Sequence, residues 1–170
     1  SPEEVDYYLQ DCGARFAFVG GEVQLRAFLT GQRARELERV IVLDPGWDGH
    51  CNEKNVVSLA AFTEAVRGST ELFVNEEVRT AKAGDFATIG YTSGTTGYPK
   101  GAILTHAALL AGSHTNISFC PPIEKSEQRL VVHLPMSHTV ARAQATTLPL
   151  MSRAVPHFGE TTAQFTQTIR

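Results

Sequence analysis

Apolar residues fall in short runs along this chain, and most runs are bounded by Gly, Pro, Asp or Ser. Arg15 to Val19, Arg39 to Leu43, Phe86 to Tyr91, Ala102 to Leu104, Leu130 to Leu134 and Ala154 to Phe158 are such runs, and each is predicted to be a strand. Between them lie segments with apolar residues at helical spacing. Helices are expected over Val5 to Gln10 with a stop at Gly13, from about Glu22 towards Glu36, over Ser58 to Arg67 behind a serine cap, from Thr105 to about Ser118, and from about Ser137 to Ser152. Gly31 weakens the later half of the second of these. Residues 44 to 55 read as a polar loop, and 71 to 84 fit no single class. Period-2 alternation is poor in the strands, as expected where both faces of a sheet are covered. The fold class is therefore α/β, a mostly parallel sheet covered by helices on both faces, with the helices serving as crossovers.

The ends have their own signals. Ser1-Pro2-Glu3-Glu4 is a helix start, with a serine cap, proline at the first helical position and glutamate at the third. Phe165 and Ile169 share a helix face with no cap after them. Both ends look cut from a longer protein, so residues 1–170 are expected to be a single α/β piece of a larger domain.

Bulk properties narrow the function classes. With 170 residues, 42% of them hydrophobic, the chain is long enough for a substantial core. Its 15 basic and 18 acidic residues leave a net charge of −3, so no nucleic-acid footprint is expected. Cys12, Cys51 and Cys120 are widely spaced and form no Cys-x-x-Cys pair, which points to free thiols in a reducing compartment. No apolar run approaches the length of a membrane span. A cytoplasmic setting is expected, with peripheral attachment to a membrane left open.

The densest chemistry lies in Tyr91-Thr92-Ser93-Gly94-Thr95-Thr96-Gly97-Tyr98-Pro99-Lys100-Gly101. Four hydroxyls, on Thr92, Ser93, Thr95 and Thr96, fall within five positions, and each can donate to a phosphate oxygen. Gly94 and Gly97 let the backbone bring its N–H groups close to an anion. Lys100 adds a compact positive charge suited to terminal phosphates. A flexible linker has this composition too, but it does not need Pro-Lys-Gly at its end or apolar strands on both sides. The spacing is not that of a Walker A loop: only Thr95 and Thr96 separate Gly94 from Gly97, and Gly101 follows the lysine. With a strand following instead of a helix, the hydroxyls, backbone amides and Lys100 would carry the anion.

Tyr91 to Gly101, continued by Ala102-Ile103-Leu104-Thr105-His106, resembles the phosphate-binding signature of the adenylate-forming superfamily, which includes acyl-CoA synthetases, luciferases and peptide-synthetase adenylation domains. Leu134-Pro135-Met136-Ser137-His138 resembles that superfamily's next core motif, and the resemblance covers most of the chain. It is closest to long-chain fatty-acid–CoA ligases, and it implies ATP, Mg²⁺ and coenzyme A as cofactors or co-substrates and a fatty acid as the carboxylic acid. It also implies that Lys100 and His138 are catalytic, that Thr92, Ser93, Gly94, Thr95, Thr96, Gly97 and Lys100 hold the nucleotide phosphates, and that Thr92 helps hold the metal. The superfamily's later motifs and its mobile C-terminal domain are absent from these 170 residues, so they are expected to be inactive alone. A peptide-synthetase adenylation domain and a non-catalytic nucleotide-binding module are the alternatives.

Smaller signals leave more than one reading. His138 sits at a strand-to-helix junction, where it can make a backbone hydrogen bond at the helix start or, by the resemblance, lie beside the acyl and adenylate pocket. Arg142 shares its helical face, and it suits either the long-chain branch of the superfamily or a surface ion pair. Met136, Leu148, Leu150 and Met151 are expected in the core, and Tyr98 is expected to be exposed. His106, His114 and His50 lack metal spacing, so solvated or capping roles are expected of them.

Overall fold

The computed structural model describes residues 1–67, 78–92 and 98–158. The chain's contacts fall into two compact units, Ser1–Thr80 and Ala81–Arg170.

In the first unit, α1 (Pro2–Cys12) starts at the expected capping box, with the Ser1 hydroxyl accepting from the Glu4 N–H at 3.2 Å. It ends where Gly13 turns left-handed at φ 61°, a conformation that suits glycine. The strands β1 (Phe16–Val19), β2 (Arg39–Val42) and β3 (Val56–Ser58) form a parallel sheet in that order. Val40, Ile41 and Val42 on the central strand have no exposed surface, which accounts for the unbroken apolar run there. Val19, Leu25, Leu37, Val40 and Val42 make the core, with Leu9, Phe28, Trp47 and Val56 packed against it.

Two expectations fail in this unit. The helix expected from Glu22 towards Glu36 is α2 (Glu22–Phe28), followed by a separate 3₁₀ turn at Arg33–Glu36. Gly31 lies between them against α1: a Cβ there would sit 2.8 Å from Asp6 Oδ1 and 3.1 Å from Val5 Cγ1. The Asp6 carboxylate also accepts from the Gln32 and Arg33 N–H groups, which turns the chain away from helix. β3 was not expected at all. The pattern suggested a loop running straight into a helix, but Val56–Ser58 pairs with Val40–Val42 before α3 (Leu59–Ala65) begins. The expected Ser58 cap holds, with its Oγ accepting from Ala61 N–H at 3.1 Å.

Trp47 gives this unit a local reporter. Its indole N–H donates to Glu22 Oε2 at 2.9 Å, and Arg26 Nε donates to Glu22 Oε1 at 2.6 Å. The hydrogen bond from Arg26, then that from Trp47, holds the Glu22 carboxyl below the usual carboxylate range. A depressed carboxyl contributes stability above its unfolded value of about 4.3 and loses it as pH falls through the folded value. Fluorescence of Trp47, the one tryptophan, is therefore expected to change with a midpoint below about pH 4.3. The Glu22→Gln variant should lack this transition; an identical transition in that variant would assign it to another group.

In the second unit, β4 (Phe86–Thr92) and β5 (Lys100–Thr105) form an antiparallel hairpin, while β6 (Gln128–Val132) and β7 (Ala154–Phe158) pair in parallel. The hairpin is the exception in a mostly parallel chain, because seven intervening residues cannot make a crossover. Thr105 caps α4 (His106–Phe119) by accepting from Ala108 N–H at 3.2 Å. A short α5 (Pro122–Lys125) leads to β6, which lies two residues earlier than the expected run.

The single helix expected from Ser137 to Ser152 is two, α6 (Thr139–Ala145) and α7 (Thr147–Met151). Pro149 has no N–H for the Ala145 carbonyl, and its ring would crowd that carbonyl, so the helix breaks at Thr146. Ile117, Ile123, Leu148 and Ala154 form the core of this unit, with Leu130 and Met151 against it. Leu148 and Met151 thus pack as expected, whereas Met136 and Leu150 are exposed. Leu150 falls on the outer side of the short α7, so its apolar character alone does not place it inside. Residues 165 and 169, expected on one helix face, lie outside the described residues. Among the described residues no helix is long and apolar enough to cross a membrane.

Candidate functional site

Of the eight residues singled out for phosphate or catalytic roles, Thr92, Lys100 and His138 fall within the described structure. Ser93, Gly94, Thr95, Thr96 and Gly97 lie outside the described residues. The stretch that carries them is bounded on both sides by the hairpin.

Thr92 and Lys100 are direct cross-strand partners at the open end of β4 and β5. Residues paired in this way point to the same face of a sheet, and faces alternate along each strand. Thr88, Gly90 and Thr92 on β4 therefore share one face with Leu104, Ala102 and Lys100 on β5. Thr92 and Lys100 are exposed, so a hydroxyl and an ammonium stand side by side at the two feet of the connection.

The opposite face explains the last glycine of the motif. A Cβ on Gly101 would lie 2.9 Å from Ile89 Cγ2 and 3.2 Å from two atoms of the Tyr91 ring. Gly101 is thus the space into which Tyr91 packs across the strands, an aromatic lying over a glycine.

The face bearing Thr92 and Lys100 also receives the second motif. A Cβ on Gly90 would meet Thr139 Cγ2 at 2.9 Å, so the start of α6 approaches β4 as closely as a missing side chain allows. Two residues further down β4, Thr88 Oγ1 accepts from Arg142 Nη1. The His138 segment is thereby seated on the same hairpin face as the two feet.

His138 takes the helix-start role that its position suggested. It is the N-cap of α6, and its Nδ1 accepts from the Val140 N–H at 3.2 Å. An accepting Nδ1 places the proton of the neutral ring on Nε2, which is left as a donor on an exposed side chain. The turn before it is closed by the His138 N–H donating to the Pro135 carbonyl at 2.8 Å. A cap contact and a role in ligand binding do not exclude each other, because they use different nitrogens.

Among the described residues Arg142 makes no ion pair. Its guanidinium bonds to Thr88 Oγ1 and to the carbonyls of Met136 and Ser137, and it is half-buried. Its acceptors are main-chain carbonyls and a hydroxyl far away in sequence, so no charge pattern signalled them. Tyr98, His106 and His114 are exposed, as expected. The three cysteines are free thiols, Cys12 and Cys51 half-buried and Cys120 exposed.

The fold is that of a part of the N-terminal domain of adenylate-forming enzymes. A luciferase-like enzyme from the nonluminescent mealworm Zophobas morio superposes with a TM-score of 0.68 over 99% of this chain and 36% of its own, at 18% identity. The anthranilate CoA ligase AuaEII, solved with anthranoyl-AMP, also gives 0.68, covering 99% of this chain and 31% of its own at 19% identity. The chain belongs to the AMP-binding enzyme family, whose sequence profile matches residues 1–169. Among curated relatives, the long-chain-fatty-acid–CoA ligase FadD15 of Mycobacterium tuberculosis is 31% identical over 147 residues, 84% of this chain. The peroxisomal long chain acyl-CoA synthetase 6 of Arabidopsis thaliana is 46% identical over 65 residues, 36% of this chain. The chain spans 23% of the first relative's length and 9% of the second's.

Proposed function

We propose that this chain is the nucleotide-phosphate portion of an AMP-forming acyl-CoA ligase that acts on a long-chain fatty acid. The observation that carries the reading is the pairing of Thr92 with Lys100 at the feet of the Ser93–Gly97 stretch, on the hairpin face where the His138 segment is seated. The naming of similar proteins as long-chain fatty-acid ligases supports the choice of acid.

In the proposed reaction a carboxylate oxygen attacks the α-phosphorus of ATP. The bond from that phosphorus to the bridging oxygen breaks, and pyrophosphate leaves with the bond's electrons. The resulting acyl-AMP carries a good leaving group, so the thiolate of coenzyme A can attack the carbonyl carbon and expel AMP. The first step brings an anion towards a polyanion, and the residues around the loop are suited to that problem. Lys100 offsets charge on the departing phosphates, Ser93, Thr95 and Thr96 donate hydroxyl hydrogen bonds, and Gly94 and Gly97 let main-chain N–H groups approach. His138 offers Nε2–H towards the acyl-adenylate.

The Thr92 hydroxyl is a neutral oxygen donor, and among the described residues no group of three His, Cys, Asp or Glu side chains gathers as a metal site. That donor set fits a Mg²⁺ whose other ligands are phosphate oxygens and water, and the ion would supply further charge compensation.

ATP–pyrophosphate exchange tests the reading. A complete ligase carrying this chain is expected to exchange with MgATP and a long-chain fatty acid, whereas residues 1–170 alone are expected to show none. The complete protein failing with every carboxylic acid tried, or the 170 residues alone exchanging at comparable rates, would overturn it.

A further inference from the structure

Arg142 spends its charge in an unusual way. It stands four residues into α6 counting from the cap, yet its guanidinium turns back towards the helix N-terminus, where the helix dipole opposes a cation. What holds it there is a set of three acceptors. Nε donates to the Met136 carbonyl at 3.2 Å, Nη2 to the Ser137 carbonyl at 3.3 Å, and Nη1 to Thr88 Oγ1. Its own N–H also donates to the His138 carbonyl at 3.1 Å.

Met136 and Ser137 are the two residues that lead into His138, so fixing their carbonyls fixes the peptide planes from which the imidazole projects. The Thr88 bond then ties this turn to β4, the strand that ends at Thr92. A planar guanidinium can hold three acceptors in fixed directions, whereas an ammonium on a flexible stem cannot.

The geometry points to Arg142 as a positioning residue: by clamping the Met136–Ser137 turn onto β4, it sets the orientation and tautomer of the His138 ring. The functional meaning of that setting rests on the ligase reading above. The clamp itself does not, because His138 can be observed without any nucleotide.

The test is nitrogen NMR of the His138 ring in the 170-residue chain, labelled with ¹⁵N. In the parent sequence, one tautomer is expected to dominate, with Nδ1 as acceptor and the proton on Nε2. Arg142→Met keeps an unbranched apolar stem but removes every donor. The two ring-nitrogen signals of His138 should then converge towards the average of mixed tautomers. Arg142→Lys should restore part of the separation, because it reaches one acceptor at a time. Unchanged His138 signals in Arg142→Met, with the remaining amide spectrum preserved, would overturn the assignment.

Should Arg142→Met fail to fold, Thr88→Val decides the matter. It is close to isosteric and removes only the strand arm of the clamp, so the His138 nitrogen signals must move; if they stay in place, the assignment is overturned. Failure of the complete protein to exchange pyrophosphate with MgATP would count against the ligase reading and leave the tautomer result standing.

Discussion

On the proposed ligase reading, Lys100→Ala in the complete protein is expected to lower kcat for ATP–pyrophosphate exchange by about 10²- to 10³-fold, the range seen when one charge-stabilising donor is removed from a reacting centre. The size follows from what the side chain is placed to meet. Lys100 is exposed at the start of β5 and paired across the hairpin with Thr92, so on the proposed reading its loss would leave only a neutral hydroxyl to meet the phosphates. Charge separation peaks as pyrophosphate departs, so kcat should fall further than the KM for MgATP rises. Lys100→Arg keeps the charge but changes its geometry, and it should recover only part of the rate. Exchange within threefold of the parent after Lys100→Ala would remove Lys100 from the reaction.

Gly90→Val is expected to destabilise the second unit by about 1–3 kcal/mol, the usual cost of forcing extra methyl groups into a packed contact. Gly90 is buried, and even a single Cβ there would come within 2.9 Å of Thr139 Cγ2. Thr139 is branched at Cβ and cannot easily swing its methyl aside. The strain therefore has to be relieved by parting α6 from β4, which unseats His138 as well. Urea unfolding would show the loss as a lower midpoint. The pair Gly90→Ala and Thr139→Ser provides the check, because serine lacks the colliding methyl. The double variant should recover most of what Gly90→Ala loses, and strict additivity of the two changes would show that this contact is not the cause.

Much of this arrangement can be read from residue order alone, where the determinants are local. Ala154–Phe158 forms the strand its apolar run predicts, helices start at the expected caps Ser1 and Ser58, and the helix expected from Thr105 begins within one residue of it. The failures have non-local causes. β3 exists because Val56–Ser58 finds β2, and the preceding Asn55 holds the place by donating to the carbonyls of Ala34 and Leu37. α2 stops early because Gly31 has to fit beneath Asp6 and Val5 of α1. The break between α6 and α7 is the exception, with a local cause in Pro149.

The site shows the same division. The motif spacing singles out Thr92, Lys100 and His138 as candidates, but not the sharing of one hairpin face, which depends on the register of β4 and β5. The acceptors of Arg142 are not legible in the sequence, because carbonyls from the turn and a threonine 54 residues away leave no mark in composition. Gly90 carried no signal beyond being one more small residue in a strand.

The antiparallel pairing of β4 and β5 also bears on the order of assembly. Thr92 and Lys100 are eight positions apart, whereas each rung of β6 with β7 joins residues 26 apart. Closing the shorter loop costs about 1 kcal/mol less chain entropy. Contacts that are near in sequence form first when other factors are equal. The platform on which Thr92 and Lys100 stand can thus be in place before the neighbouring parallel strands have met, as a template onto which the His138 helix later docks.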